Sequence, residues 1–196
     1  MNRNIVKQRE PVADAVPWKA AVTDLFGGGW TFAWVGPREH DDWRRGAVSV
    51  MSLKAVDPRG WNSVNHAPEV AEDRSGTRAP FIAWSPEQLK ASLYEISPAS
   101  ATQFLTALKG EWHQAASIPN FKDRWGSLFS SSRKILSRFG PSATFFTNAS
   151  DAWDNPNVDL RSPDAQWECL SVCTTDCGLV VVSDTEVGVF WAFWED

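Results

Sequence analysis

The stretch that decides the fold is WECLSVCTTDCGLVVVSDTEVGVFWAFWED, which spans residues 167–196. It contains three apolar runs, residues 167–173, 179–182 and 187–194, separated by polar residues typical of hairpin turns. The first run alternates, the second is continuous, and the third is aromatic and β-branched, all of which are features of strands. We therefore predict a C-terminal antiparallel β-meander whose aromatic last strand is covered on at least one face by earlier residues.

Helix signals dominate the middle of the chain. Ser85-Pro86 and Ser97-Pro98 each place an N-cap residue before a proline at the first helical position. Apolar residues at helical spacing extend the second of these helices to about residue 117 and predict a third over residues 121–139. The third helix also has a basic face, which predicts either an anion or RNA site, a solvated face, or a neighbour for the acidic C-terminal loops.

The N-terminal half mixes short elements with one long connection. Helical spacing predicts a helix over residues 18–26, and a strand follows over residues 30–35. Residues 47–56 favour a strand over a short helix, and residues 81–84 and 143–147 each predict a strand. Residues 57–80 are predicted to be a long loop with one helical turn around residues 69–73, and residues 1–10 to be loose.

This order of elements predicts an α+β fold. Helices that precede and interrupt strands are typical of a mainly antiparallel sheet with helices packed on one face. The 196 residues are enough for one domain, and they contain no internal repeat and no linker that divides them. We therefore predict a single α+β domain over residues 1–196 that ends in the β-meander.

Charge is distributed unevenly along the chain. Residues 151–196 carry ten acidic side chains and one basic side chain, a net charge of −9, whereas residues 101–150 carry a net charge of +4. The acidic end favours a basic protein partner over nucleic acid, although acidic loops also keep a Trp-rich surface soluble. The sequence contains neither an apolar run of membrane-helix length nor a signal-peptide core, so we predict a cytoplasmic protein without membrane contact.

The sequence contains no motif that specifies a reaction. His40, His66 and His113 lie outside recognised hydrolase and metalloprotease patterns. The spacing of Cys169, Cys173 and Cys177 matches no zinc or iron–sulfur pattern. We therefore predict no catalytic residue, no metal and no cofactor, and we expect the cysteines to be buried or half-buried thiols in a reducing compartment.

The closing sequence VGVFWAFWED, residues 187–196, resembles the C-terminal end of bacterial immunity proteins from polymorphic or contact-dependent toxin systems. Such proteins are often small, acidic, Trp-rich α+β domains that end in an aromatic strand and a short acidic tail. The resemblance implies non-catalytic binding to a cognate protein toxin with a basic face, whose active site would be occluded or distorted. The candidate partner-binding residues are acids near the turns and the terminus together with two tryptophans: Asp176, Asp184, Glu186, Trp191, Trp194, Glu195 and Asp196.

Two other functions fit the same residues. Exposed tryptophans among the twelve in the chain could line a small-ligand or carbohydrate-binding module. An enzyme of an unrecognised type would instead require a concave pocket that holds His40, His66 or His113 beside a carboxylate.

Overall fold

The chain folds around one antiparallel sheet. The computed structural model describes residues 15–61, 63–67, 80–161 and 165–195. Within these residues the strands are β1 (Thr31–Pro37), β2 (Val64–Asn65), β3 (Tyr94–Ile96), β4 (Thr144–Thr147), β5 (Thr175–Val182) and β6 (Glu186–Trp194). The helices are α1 (Ala15–Phe26), α2 (Trp43–Met51), α3 (Pro86–Ser92), α4 (Pro98–Ala107) and α5 (Phe121–Ser137). The predicted α+β class is confirmed.

The sheet runs in the order β2-β1-β6-β5-β4-β3, and every described pair of strands is antiparallel. β5 and β6 form the predicted hairpin, and β6 lies between β5 and β1. β3, β4, β5 and β6 follow one another across the sheet in chain order, but α4 and α5 lie between β3 and β4, so within the predicted C-terminal meander only β5 and β6 are joined by a hairpin turn.

The predicted first strand of that meander was wrong. Residues 167–173 form only isolated bridges, from Trp167 to Ala149 and from Ser171 to Phe81. The backbone N–H groups of Leu170 and Ser171 bind the side chain of Asp176 instead of a neighbouring strand. A side chain that accepts these hydrogen bonds replaces the ladder that a strand needs, so β4 takes the place beside β5.

Helices cover both faces of the sheet, which corrects the expectation that they pack on one face. One core lies between the sheet and α1, α4 and α5, and includes Phe104, Leu128 and Phe190. A second core lies on the opposite face against α2 and α3, and includes Leu89 and Trp191. Alternate residues of β6 enter the two cores, so its apolar side chains are buried on both faces of the sheet.

Several element boundaries differ from the predictions. Residues 43–51 form the helix α2, because Asp42 caps its N-terminus and buried residues recur at helical spacing. α4 ends at Ala107, where two short 3₁₀ turns replace the predicted continuation to residue 117. Phe81 makes one bridge and no strand. The predictions for residues 1–10 and for a helical turn at residues 69–73 lie outside the described residues.

The predicted starts of the helices α3 and α4 are confirmed. The Ser85 hydroxyl accepts the N–H of Gln88, whose side chain accepts the Ser85 N–H, which makes a reciprocal capping box before α3. Ser97 caps α4 in a similar way through the N–H of Ser100. These caps fix where α3 and α4 begin on either side of the edge strand β3.

Candidate partner-binding surface

The seven predicted partner-binding residues occupy three different environments. Asp176, Glu186 and Trp191 are buried, whereas Asp184 and Glu195 are exposed and Trp194 is partly exposed. Asp196 lies outside the described residues. A partner would therefore meet only part of the predicted set, and the three buried side chains need a different explanation.

Asp176 is a buried anchor for the segment that precedes β5. Its carboxylate accepts hydrogen bonds from the N–H groups of Leu170 and Ser171, the Ser171 hydroxyl at 2.5 Å, the indole N–H of Trp191 and the amide of Asn148. Burial raises the pKa of the Asp176 carboxyl, although the hydrogen bonds act to lower it. The side chain thus serves the fold, and we correct its assignment to a partner interface.

Trp191 is part of the core of the sheet and not of its surface. Its side chain is 0% exposed, and its ring lies directly over Gly178, the residue paired with it on β5. A Cβ at residue 178 would come within 2.1 Å of that ring, so the packing requires glycine there. The ring edge contacts Phe81 at a centroid distance of 5.6 Å. This burial removes Trp191 from the candidate interface.

Glu186 belongs to a buried ion network at the start of β6. Its carboxylate accepts from Nε and Nη2 of Arg138 and from Nε of Arg59, at 2.9–3.1 Å. Asp57 binds the same Arg138 guanidinium through both carboxylate oxygens, at 2.6 and 2.9 Å. Burial disfavours the charged Arg138, but its hydrogen bonds to Asp57 and Glu186 outweigh this effect and raise the pKa of the guanidinium. Glu186 is therefore structural, and of the predicted basic residues Arg138, which directly follows α5, contacts an acid of the C-terminal hairpin.

Exposed aromatic and apolar side chains surround the opposite end of β6. We call this the strand-end surface and define it by five residues: Trp30, Trp112, Val172, Trp194 and Glu195. The carbonyl of Trp30 accepts the N–H of Phe193, which places it beside the end of β6. The Thr174 hydroxyl, two residues after Val172, donates to Glu195. Two of the seven predicted residues, Trp194 and Glu195, are members of this surface.

Trp112 is one of three residues of this surface, with Trp30 and Val172, that were not among the predicted partner-binding residues. Its ring stacks on that of Trp194, with centroids 6.5 Å apart and ring planes 17° apart, and 37% of its surface remains exposed. Its backbone is left-handed, with φ 52° and ψ 39°. That conformation costs a bulky residue about 1–2 kcal/mol and is concentrated at functional sites. Helical spacing assigned Trp112 to a helix, and no sequence signal marked the left-handed turn.

Asp184 lies far from the strand-end surface. It occupies the turn before β6, whereas Glu195 follows the last residue of the same strand. The nine residues of β6 span about 27 Å at the usual rise per residue, and the two acids lie beyond its opposite ends, so they are separated by about that distance or more. One compact contact cannot be centred on both, and Asp184 is a natural reference position for a binding experiment.

The cysteines do not form a reactive cluster within the described residues. Cys173 and Cys177 are buried, Cys169 is exposed, and all three are free thiols. Burial raises the pKa of Cys173 to about 11, with the Glu195 carboxylate adding to the effect, and it also raises the pKa of Cys169 and Cys177. In the part of the chain that the structure describes, no group of three metal-binding side chains could hold an ion.

Of the described histidines, His40 comes nearest to what the alternative enzyme function requires, a histidine beside a carboxylate in a pocket. His40 and Glu39 line a cleft of about 250 Å³ together with Arg45. The His40 imidazole makes no hydrogen bond or ion pair with any described residue, so nothing there orients it as a base. His66 is exposed, and its backbone N–H donates to the Thr31 carbonyl. The side chain of His113 is not among those the structure describes.

Comparison of the chain with protein-family models, with curated proteins and with solved structures finds no match. None of the helices in the described ranges has the length and apolar character needed to cross a bilayer.

Proposed function

We propose that this protein binds another protein through the strand-end surface, and that the partner is a cognate toxin with a basic face, as for an immunity protein. The observation that carries the proposal is the exposed Trp112–Trp194 stack beside Glu195. Stacked tryptophans supply large, rigid contact area, and Trp is enriched among the residues that dominate interface energetics.

The charge around the aromatic pair supports a basic partner. Glu111 and Glu195 flank the two tryptophans in sequence, and both are exposed. Acidic groups at the rim of an interface accelerate encounter with a basic surface and disfavour acidic competitors. The net charge of −9 over residues 151–196 acts in the same direction at longer range. We also propose that the protein acts in the cytoplasm, without nucleic acid, where a toxin would be neutralised.

The experiment that tests this proposal is affinity capture from the native cell followed by functional rescue. Tagged wild-type protein should retain one larger protein at near-equal amount in high salt. Expression of that partner alone should arrest growth, and co-expression of wild-type protein should restore it. The variant with both Trp112→Ala and Trp194→Ala should lose capture and rescue together.

The control variant is Val56→Ser, which alters an exposed apolar residue at the other end of β6. Ala55 packs on Gly36, the partner of Val187 near the start of that strand, so this variant leaves the strand-end surface intact. It should behave like the wild type. Capture that survives in the double Trp variant, or a partner that does not arrest growth, would overturn the proposal.

A further inference from the structure

A second feature of the molecule is a cavity at the C-terminal end of α5, away from the strand-end surface. Its volume is about 340 Å³, within the range of small-molecule sites. It is lined by aromatic, basic and small side chains: Trp18, Arg59, Trp61, Lys134, Ser137, Arg138 and Gly140. α1, the loop after Asp57 and the end of α5 therefore build one concave site.

Among the described residues, every ionisable side chain that lines this cavity is basic. The carboxylates of Asp57 and Glu186 lie close by but are not part of the lining, and all four of their oxygens accept hydrogen bonds. Arg138 and Arg59 form ion pairs with these two acids, whereas Lys134 also lines the cavity and forms none with a described residue. The cavity therefore presents positive charge, while the balancing carboxylates are engaged with the guanidinium groups.

The ion network holds the floor of the cavity in a fixed position. The Arg138 guanidinium lies 4.9 Å from the ring centroid of Trp18 and 4.8 Å from that of Trp61. Arg59 contacts the same Trp61 ring, with its guanidinium carbon 5.2 Å from the centroid. Because both cations and both rings are already ordered, a ligand would lose little free energy in arranging them.

Lys134 differs from the two arginines. Its side chain is exposed, and its ammonium makes no hydrogen bond or ion pair with any described residue. It can therefore donate to a ligand without losing a contact. Ser137, one turn further along α5, places a hydroxyl oxygen on the same lining.

We propose that this cavity binds a small organic anion, a carboxylate or a phosphate with a planar body. Lys134 would donate to the anionic group, the two engaged arginines would add positive potential without direct contact, and the half-buried ring of Trp61 would support the flat part. The volume exceeds what inorganic phosphate alone requires, which favours an organic ligand. This site is independent of the proposed partner interface.

The test is calorimetric titration of the full chain at low salt with benzoate, phenyl phosphate and benzamide, the uncharged analogue of benzoate. Saturable binding of benzoate or phenyl phosphate at millimolar concentration or tighter is expected, and the stronger of the two identifies the anion class. Benzamide should bind at least about tenfold more weakly, because it lacks the charge.

The matched variants are Lys134→Ala and Arg133→Ala, which both alter exposed basic residues of α5. Only Lys134 lines the cavity. Lys134→Ala should raise the dissociation constant of the anion about tenfold, as expected for loss of one charged hydrogen bond, and Arg133→Ala should not change it. Absence of saturable anion binding, equal binding of benzamide, or equal effects of the two variants would overturn the proposal.

Discussion

The ring of Trp112 lies nearly parallel to the ring of Trp194, with centroids 6.5 Å apart. Trp112 comes from a turn after α4, and Trp194 is the last residue of β6. Both cores of the sheet are filled without Trp112, which remains exposed in a left-handed conformation. This exposed residue in a left-handed conformation is the feature on which the proposed interface with another protein rests.

Electrostatic steering can be tested with two acids at opposite ends of β6. Glu195→Gln should slow association with the partner several-fold at low salt, because it removes negative charge beside the aromatic pair. Asp184→Asn, which makes the same chemical change about 27 Å or more away, should leave the association rate unchanged. Association rates from surface-bound partner at low and high salt give the comparison. A larger effect of Asp184→Asn would contradict the proposed surface and indicate an interface at the turn between β5 and β6.

The buried ion network of Arg138, Asp57 and Glu186 should contribute strongly to the free energy of unfolding. Arg138→Met leaves Asp57 and Glu186 buried without their shared cation, so the free energy of unfolding should fall by about 3–5 kcal/mol. Arg133→Met, on the exposed face of the same helix, should change it by less than about 0.5 kcal/mol. Urea unfolding followed by Trp fluorescence measures both. Equal stability of the two variants would contradict the role assigned to the network.

The contact between Tyr94 and Glu168 can be tested by tyrosinate absorbance, because Tyr94 is the only tyrosine in the chain. Its phenol donates a hydrogen bond to Glu168, and this bond, with burial, raises the pKa of Tyr94 to about 12. Tyrosinate absorbance should therefore be small at pH 11 in the folded protein and should rise when denaturant is added. Glu168→Gln should shift the folded titration toward the ordinary value near 10.

The same shift predicts the direction of a stability change. The folded state holds the Tyr94 proton more tightly than the unfolded chain, so the stability that this residue contributes is complete below pH 10 and is lost as the pH rises to about 12. A folded-state titration midpoint near 10 in the wild type would contradict the Tyr94–Glu168 contact.

The three cysteines should differ in how readily a thiol reagent modifies them. Cys169 is exposed as a residue, but desolvation of its sulfur raises the pKa of the thiol, so a disulfide reagent should modify it slowly at neutral pH. Cys173 and Cys177 should react only after unfolding. Cys169→Ser should abolish the reaction of the folded protein, as measured by release of the coloured thiolate. Rapid modification of more than one thiol in the folded wild type would contradict the described packing.

Local sequence signals predicted the elements whose stabilising contacts lie close together in sequence. The β5–β6 hairpin followed from apolar runs separated by turn residues, and α3 and α4 began at the predicted serine caps. α5 followed from helical spacing of buried residues such as Leu128 and Ile135. In each case the relevant hydrogen bonds or apolar neighbours are close in sequence.

The candidate site depends on contacts between residues that are distant in sequence. The sequence pattern therefore did not predict which of its side chains are buried. Asp176 and Glu186 have the residue type of solvated acids near turns, yet each accepts hydrogen bonds from groups that only the folded chain brings together. Trp191 and Trp194 lie three residues apart in one apolar strand, yet Trp191 packs over Gly178 in one core, whereas Trp194 ends the strand beside Trp112. Neither partner is marked by a local pattern.

The most direct test of the central claim is the dissociation constant of the captured partner for wild-type protein and for Trp112→Ala. Trp112 lies outside both cores, so the variant should remain folded, which its unfolding curve can establish. If the strand-end surface is the interface, the dissociation constant should rise by about 30-fold or more, as for loss of an aromatic hot spot. A folded Trp112→Ala variant that binds the partner within about twofold of the wild type would contradict the account.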